Sequence, residues 1–142
     1  LSLLDAVDIN HLCHMVSRDW PDNLHIDVIR ICFEQDHKTS FTDLKEISSI
    51  SKGSVDKYLG KDDIVQLRGN VEVSEDIFGP AKSLIKAEAL IKIPATDSNP
   101  PGILAFGSRD ADMFYAGQGT ELLRFLGKSF HKSLVQWLKV SN

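Results

Sequence analysis

Ile85-Lys-Ala-Glu-Ala-Leu-Ile-Lys-Ile93 alternates apolar and charged residues almost without fault. Ile85, Ala87, Ala89, Ile91 and Ile93 fall on one side, and Lys86, Glu88 and Lys92 on the other, with Leu90 the exception. A period of two belongs to a pleated strand, so this stretch predicts a strand with one buried face. Beyond the turn signal Asp97-Ser-Asn-Pro-Pro101 comes Ile103-Leu-Ala-Phe106, apolar at every position, as a central strand covered on both faces would be. Leu24 to Glu34 reads the same way: Val28, Ile29, Ile31 and Phe33 leave neither face polar. Ile64 to Arg68 adds a short strand.

The chain ends carry a different period. Ile9, Leu12, Cys13, Val16 and Trp20 form one helical stripe, closed by Pro21. From Gln118 to Leu138 the residues Leu122, Leu123, Leu126, Phe130, Leu134, Trp137 and Leu138 form another. Ser74 to Phe78 reads as one helical turn stopped by Gly79-Pro80. Strands framed by terminal helices predict an α+β fold, with both end helices on one face of an antiparallel sheet.

Composition narrows the function. The 142 residues carry a net charge of −4 and no basic tract, which speaks against a phosphate-backbone partner. No apolar run approaches the roughly 20 residues of a membrane span. Two cysteines, Cys13 and Cys32, outside any CxxC pair, read as reduced thiols of a cytoplasmic protein. Helical pattern is already running at Leu1, so residues 1–142 read as the C-terminal part of a longer chain.

Asp36 to Gly60 admits two readings. One is a helix-turn-helix over 43–59, with Leu44, Ile47, Ile50, Val55 and Leu59 as its apolar positions. Lys45 then stands where the helices cross and a small residue is wanted, and Asp56 sets a negative charge beside the DNA phosphates. The other is a strand near Ile47 to Ser51, then a short helix capped near Ser54 and stopped by Gly60. The second is preferred.

Pro101-Gly-Ile-Leu-Ala-Phe-Gly-Ser-Arg-Asp110, Gly117-Gln-Gly-Thr-Glu-Leu-Leu123 and Trp137-Leu138 resemble a GAF-like proteobacterial family of unknown function, one of the numbered DUF families. Lys52-Gly-Ser-Val-Asp-Lys-Tyr-Leu-Gly60, Ile77-Phe-Gly-Pro80, Leu3-Leu-Asp5 and Asp19-Trp20 extend the likeness over nearly the whole chain. The resemblance implies a single GAF-like domain with its end helices on one side of the sheet. It places a small-molecule pocket on the other side, under the segment Asp36 to Gly79. It names no ligand, and the motif of cyclic-nucleotide-binding members is not apparent.

Four residues are candidates for that ligand. Arg30 lies inside an apolar central strand, and a buried guanidinium needs an anionic partner, from the protein or a ligand. Ser108, Arg109 and Asp110 follow a buried strand, where Arg109 offers a fork to a carboxylate or phosphate. Their plainer role is to tie the loop through its backbone groups. Gly117-Gln-Gly-Thr120 lacks the lysine of a phosphate loop and reads as a helix start. His11 and His14 share a helix face, but Cys13 points to the core and no further ligand arrives at metal spacing. No metal, no cofactor and no disulfide are expected, and no catalytic arrangement of Ser, His, Cys or carboxylates stands out.

The sequence thus reads as a non-catalytic sensory or regulatory domain, binding a small ligand or a protein partner. The alternative is a dimerisation or scaffold module with a degenerate pocket. A homodimer is expected, because Leu122, Phe130 and Trp137 widen the last helix's stripe and Leu4 and Met15 fall off the first's.

Overall fold

The computed structural model describes residues 9–21, 26–35, 47–69, 75–97, 99–114 and 119–141. One sheet organises them: β1 (Val28–Glu34), β2 (Ile47–Ile50), β3 (Val65–Gly69), β4 (Ala87–Ile93) and β5 (Gly102–Ser108), in the order β2-β1-β5-β4-β3. The central place of β5 and the inner place of β1 follow from their apolar runs, which only a strand covered on both faces can bury. The fold is α+β, as expected. The sheet is mixed: β5 pairs antiparallel with β1 and β4, and β4 with β3, whereas β1 and β2 run parallel. A parallel pair needs a crossover of about a dozen residues, and 35–46 supplies that length.

Helix α1 (Ile9–His14) continues through a π-helical stretch (Met15–Asp19), where the Trp20 amide reaches back to the Met15 carbonyl. The Ser17 hydroxyl donates to the Cys13 carbonyl at 2.7 Å, a competing bond that favours such a local widening. Leu12, Cys13, Val16 and Trp20 are buried, as their spacing predicts. Helix α2 (Ser54–Leu59) follows β2. Strand Ile47–Ile50 stands where the first helix of a helix-turn-helix would have to lie, so that reading of 43–59 is excluded. Helix α3 (Glu75–Phe78) ends at Gly79-Pro80 as expected, with Gly79 at φ 55°. A 3-10 segment (Gly79–Leu84) follows, since Pro80 at the start of a new helical segment needs no amide partner. Helix α4 (Glu121–Ser141) is about 31 Å long at 1.5 Å per residue.

Two apolar layers result. The first lies between the sheet and the terminal helices: Leu12, Val16 and Trp20 meet Leu123, Leu126, Phe130 and Leu134 over Ile29, Ile31, Phe33, Ala89, Ile91 and Leu104. Both end helices therefore share one face. At Gly127 the helix lies so close that a Cβ would stand 2.6 Å from Ile91 Cγ2. The second layer covers the opposite face, where Ile50, Val55, Leu59, Ile77, Phe78 and Ile85 pack on Cys32, Leu90, Ile103 and Ala105.

This second layer corrects the reading of β4. The middle of its polar face is not solvated, because α2, α3 and Ile85 close over it and bury Glu88 with Leu90, while Lys86 is exposed and Lys92 half-buried. Ile85 precedes the strand and joins this layer rather than the side of Ala87. Phe130, expected to widen the outer stripe of the last helix, is buried in the first layer. Leu4, Leu24, His25, Asp43 to Lys45, Ser74 and Gln118 lie outside the described residues, as do the side chains of Trp137 and Leu138. Among the described residues no helix is long and apolar enough to cross a membrane.

Candidate functional site

Strand register places the chemistry-bearing residues row by row on the face away from the terminal helices. Arg30 pairs with Ala105, Ala105 with Leu90, and Leu90 with Gln66. In the adjacent row Val28 pairs with Gly107, Gly107 with Glu88, and Glu88 with Arg68. Because β1 is an inner strand, Arg30 has no sheet edge from which to reach water, and it is half-buried. Its Nε is buried without a hydrogen-bond partner among the described residues.

Glu88 is 0% exposed, and its Oε2 accepts a hydrogen bond from Arg68 Nη2 at 2.9 Å. The contact is end-on. Glu88 Oε1 and Arg68 Nε are both buried and have no partner among the described residues. Three unpartnered polar atoms thus share one face of the sheet. Gly107 makes this packing possible, since a Cβ there would stand 2.8 Å from Phe78 Cε1 and 2.9 Å from Val28 Cγ1.

Glu34, also buried, has a different task. Its two carboxylate oxygens accept the backbone amides of Gly53 and Val55 at the start of α2. Ser54, the expected cap, instead donates its hydroxyl to the Ser51 carbonyl. Cys32 lies on the same face as Arg30. Burial pushes its thiol up to about 12, against the opposing pull of the Arg30 charge. A thiol so raised is a poor nucleophile. Cys13 and Cys32 are both buried and belong to opposite layers of the sheet.

The other three candidates gather elsewhere. The Ser108 hydroxyl accepts the Asp110 amide at 3.1 Å, and Asp110 Oδ1 accepts the Asp112 amide at 2.9 Å. The Arg109 amide donates to Asp27 Oδ2 at 2.7 Å, which ties the turn to the start of β1. Ser108 and Asp110 thus satisfy backbone groups, and the Arg109 side chain is exposed. Ser108 is three residues along β5 from Ala105, the partner of Arg30, so it belongs to the opposite face. The structure brings Ser108, Arg109 and Asp110 into one turn and leaves Arg30 apart from them.

Glu88 and Arg68 are the residues that sequence pattern alone passes over, because both look like solvent-facing strand positions. The signal was Leu90, the one apolar residue on Glu88's side of β4.

A family model described as "Protein of unknown function, DUF484" matches residues 1–139. The chain belongs to that family. No curated protein matches it. In this DUF484 chain, His11 and His14 are both exposed while Cys13 is buried, and among the described residues no group of three or more His, Cys, Asp or Glu is placed to hold a metal ion.

Proposed function

We propose that this chain is a non-catalytic, GAF-like sensory or regulatory domain that binds a small anionic ligand on the sheet face opposite its terminal helices. The observation that carries the reading is Arg30. A guanidinium on an inner strand, with a buried Nε that has no partner among the described residues, sits at a free-energy cost that an anion would offset. The shared placement of both end helices supports the GAF-like comparison, and so does the cover of short helices on the other face. Against catalysis stand the raised Cys32 thiol and the use of the Glu34 carboxylate as a helix cap. Arg109 is the secondary ligand candidate, at the rim, with Ser108 and Asp110 shaping its turn.

Thermal-shift screening of anionic metabolites against the wild type and Arg30→Met tests this reading. Ligands that stabilise the wild type and leave the variant unmoved support it. Equal shifts in both proteins refute Arg30 as the anion's partner.

A second reading, a homodimeric module, is favoured by one observation. Leu122 and Phe125, successive on the outer face of α4, are 58% and 64% exposed.

A further inference from the structure

We propose that the chain from Ser51 to Asp63, with α2 at its centre, is a strap latched across the sheet face that carries Cys32. It comes off as a unit, hinged at Gly53 and Gly60, while the five strands and the terminal helices stay folded.

Topology makes it a strap. It leaves β2 and leads into β3, which stand at opposite ends of the order β2-β1-β5-β4-β3, so it crosses the whole face, four strand spacings or about 19 Å. Among the described residues its backbone-to-backbone hydrogen bonds outside the helix proper are internal, from Ser54 to Ser51, Lys57 to Gly53 and Gly60 to Asp56. Its release therefore breaks no rung of the sheet.

Two charged side chains latch it, one at each end. Glu34, at the end of β1, accepts the amides of Gly53 and Val55 at 2.9 and 3.0 Å. Lys92, on β4, donates from Nζ to the carbonyls of Gly60 and Lys61 at 3.0 and 3.1 Å. Strands β1 and β4 are two spacings or about 10 Å apart, and the six residues of α2 span about 9 Å, so the helix fits between its latches. Both charges also suit the helix dipole. Between them Val55 and Leu59 peg the strap into the second apolar layer, while Asp56 and Lys57 face water. A helix this short does not persist alone, so latches and pegs decide whether it stays down. The hinges are free to turn. Gly53 and Gly60 are exposed at φ 91° and 73°, and among the described residues nothing lies within 4 Å of where a Cβ would stand.

Cys32 lies beneath. It pairs with Ile103, and Ile103 with Lys92, so it shares a row with one latch. It is two residues from Glu34, on the same face of β1 as the other. Cys32 is 0% exposed, so a reagent reaches it only when its cover moves. The same holds for any ligand of this face, whether or not its partner is Arg30.

The test is labelling of Cys32 by N-ethylmaleimide, resolved from Cys13 by peptide mass, at urea concentrations below the unfolding transition. We expect the Cys32 rate to rise with urea much less steeply than global unfolding does, because release of the strap exposes little surface. Lys92→Met is expected to raise the rate about tenfold without urea, the worth of hydrogen bonds to one charged group. Glu34→Gln, at the other latch, should also raise it, and it carries the test if Lys92→Met does not fold. Labelling of Cys32 that follows global unfolding in its urea dependence, or that neither variant accelerates, overturns the strap.

Discussion

Glu34 Oε2 accepts the backbone amide of Val55 at 3.0 Å, across 21 residues of sequence. Its other oxygen takes the Gly53 amide at 2.9 Å, so one carboxylate from the end of β1 caps a helix that has no side-chain cap of its own. Gly53 enters that helix at φ 91°, a left-handed backbone that glycine adopts without steric cost. The negative charge also faces the positive end of the helix dipole. Glu34→Ala strands a buried amide and is expected to destabilise the chain by about 2–3 kcal/mol. Glu34→Gln keeps one acceptor and should lose roughly half of that. Urea unfolding midpoints of the two variants check the order, and an alanine variant as stable as wild type would remove Glu34 from this role.

At Gly127 two effects oppose each other. Alanine is the better helix former by about 1 kcal/mol. Its Cβ, however, would stand 2.6 Å from Ile91 Cγ2, on a strand that cannot retreat. Overpacking of this kind costs about 1–3 kcal/mol, so Gly127→Ala should be net destabilising. Adding Ile91→Ala removes the obstructing methyl. In the double-mutant cycle the Gly127 change should then cost less, or become favourable, and thermal melts of the four proteins measure it.

His131 is expected to make stability depend on pH. Asn99 Nδ2 donates to the carbonyls of Pro94 and Pro100, which fixes Oδ1 as the acceptor for the Thr96 hydroxyl at 2.6 Å and for His131 Nε2 at 3.2 Å. The imidazole must therefore carry its proton on Nε2. Burial lowers the His131 pKa from 6.5. Above that value the imidazole is neutral whether folded or unfolded, and stability from this group is at its full value. As pH falls below it, the unfolded chain takes up the proton first, and stability is lost down through the folded pKa. Chemical denaturation between pH 5 and about 8 should show that loss in the wild type and a smaller one in His131→Gln. Parallel curves would assign the loss to other groups.

Where periodicity was clean, the fold was legible. The strand from Ala87 to Ile93, the apolar runs of β1 and β5, and the helical stripes at Leu12, Cys13, Val16 and Trp20 and at Leu123, Leu126, Phe130 and Leu134 lie where the sequence puts them, whereas Leu122 of the last stripe is exposed. Lys45 and Asp56 were reason enough to prefer a strand at Ile47 over a helix-turn-helix. What sequence could not show was tertiary in origin. The parallel pairing of β2 depends on which strand it meets, the cap of α2 comes from Glu34 on another element, and the burial of Glu88 depends on Phe78 and Ile85 closing over its face. Arg30 was visible as an anomaly because nothing else in its strand's centre is charged. Glu88 and Arg68, on the same face of the sheet, were invisible because a charged residue in alternation looks like an ordinary solvent-facing position.

The last prediction concerns Leu122 and Phe125. They stand three residues apart on α4, so their side chains share a face, and more than half of each is exposed. That face turns away from the first apolar layer, which already holds Leu123, Leu126, Phe130 and Leu134. Exposed Glu121, Arg124 and Lys128 border it. A second copy of the chain, running antiparallel across a two-fold axis near Phe125, would set Glu121 of each helix near Lys128 of the other and stack the two phenyl rings. Such self-complementary charge around an apolar centre is what an isologous contact requires. The expected mass in light scattering at micromolar concentration is twice 15.8 kDa. Phe125→Glu places two like charges at the axis and should return the mass to that of one chain, while changing the unfolding midpoint of the monomer little, because most of the ring is exposed. A wild-type mass of one chain would mean that Leu122 and Phe125 serve no contact between copies.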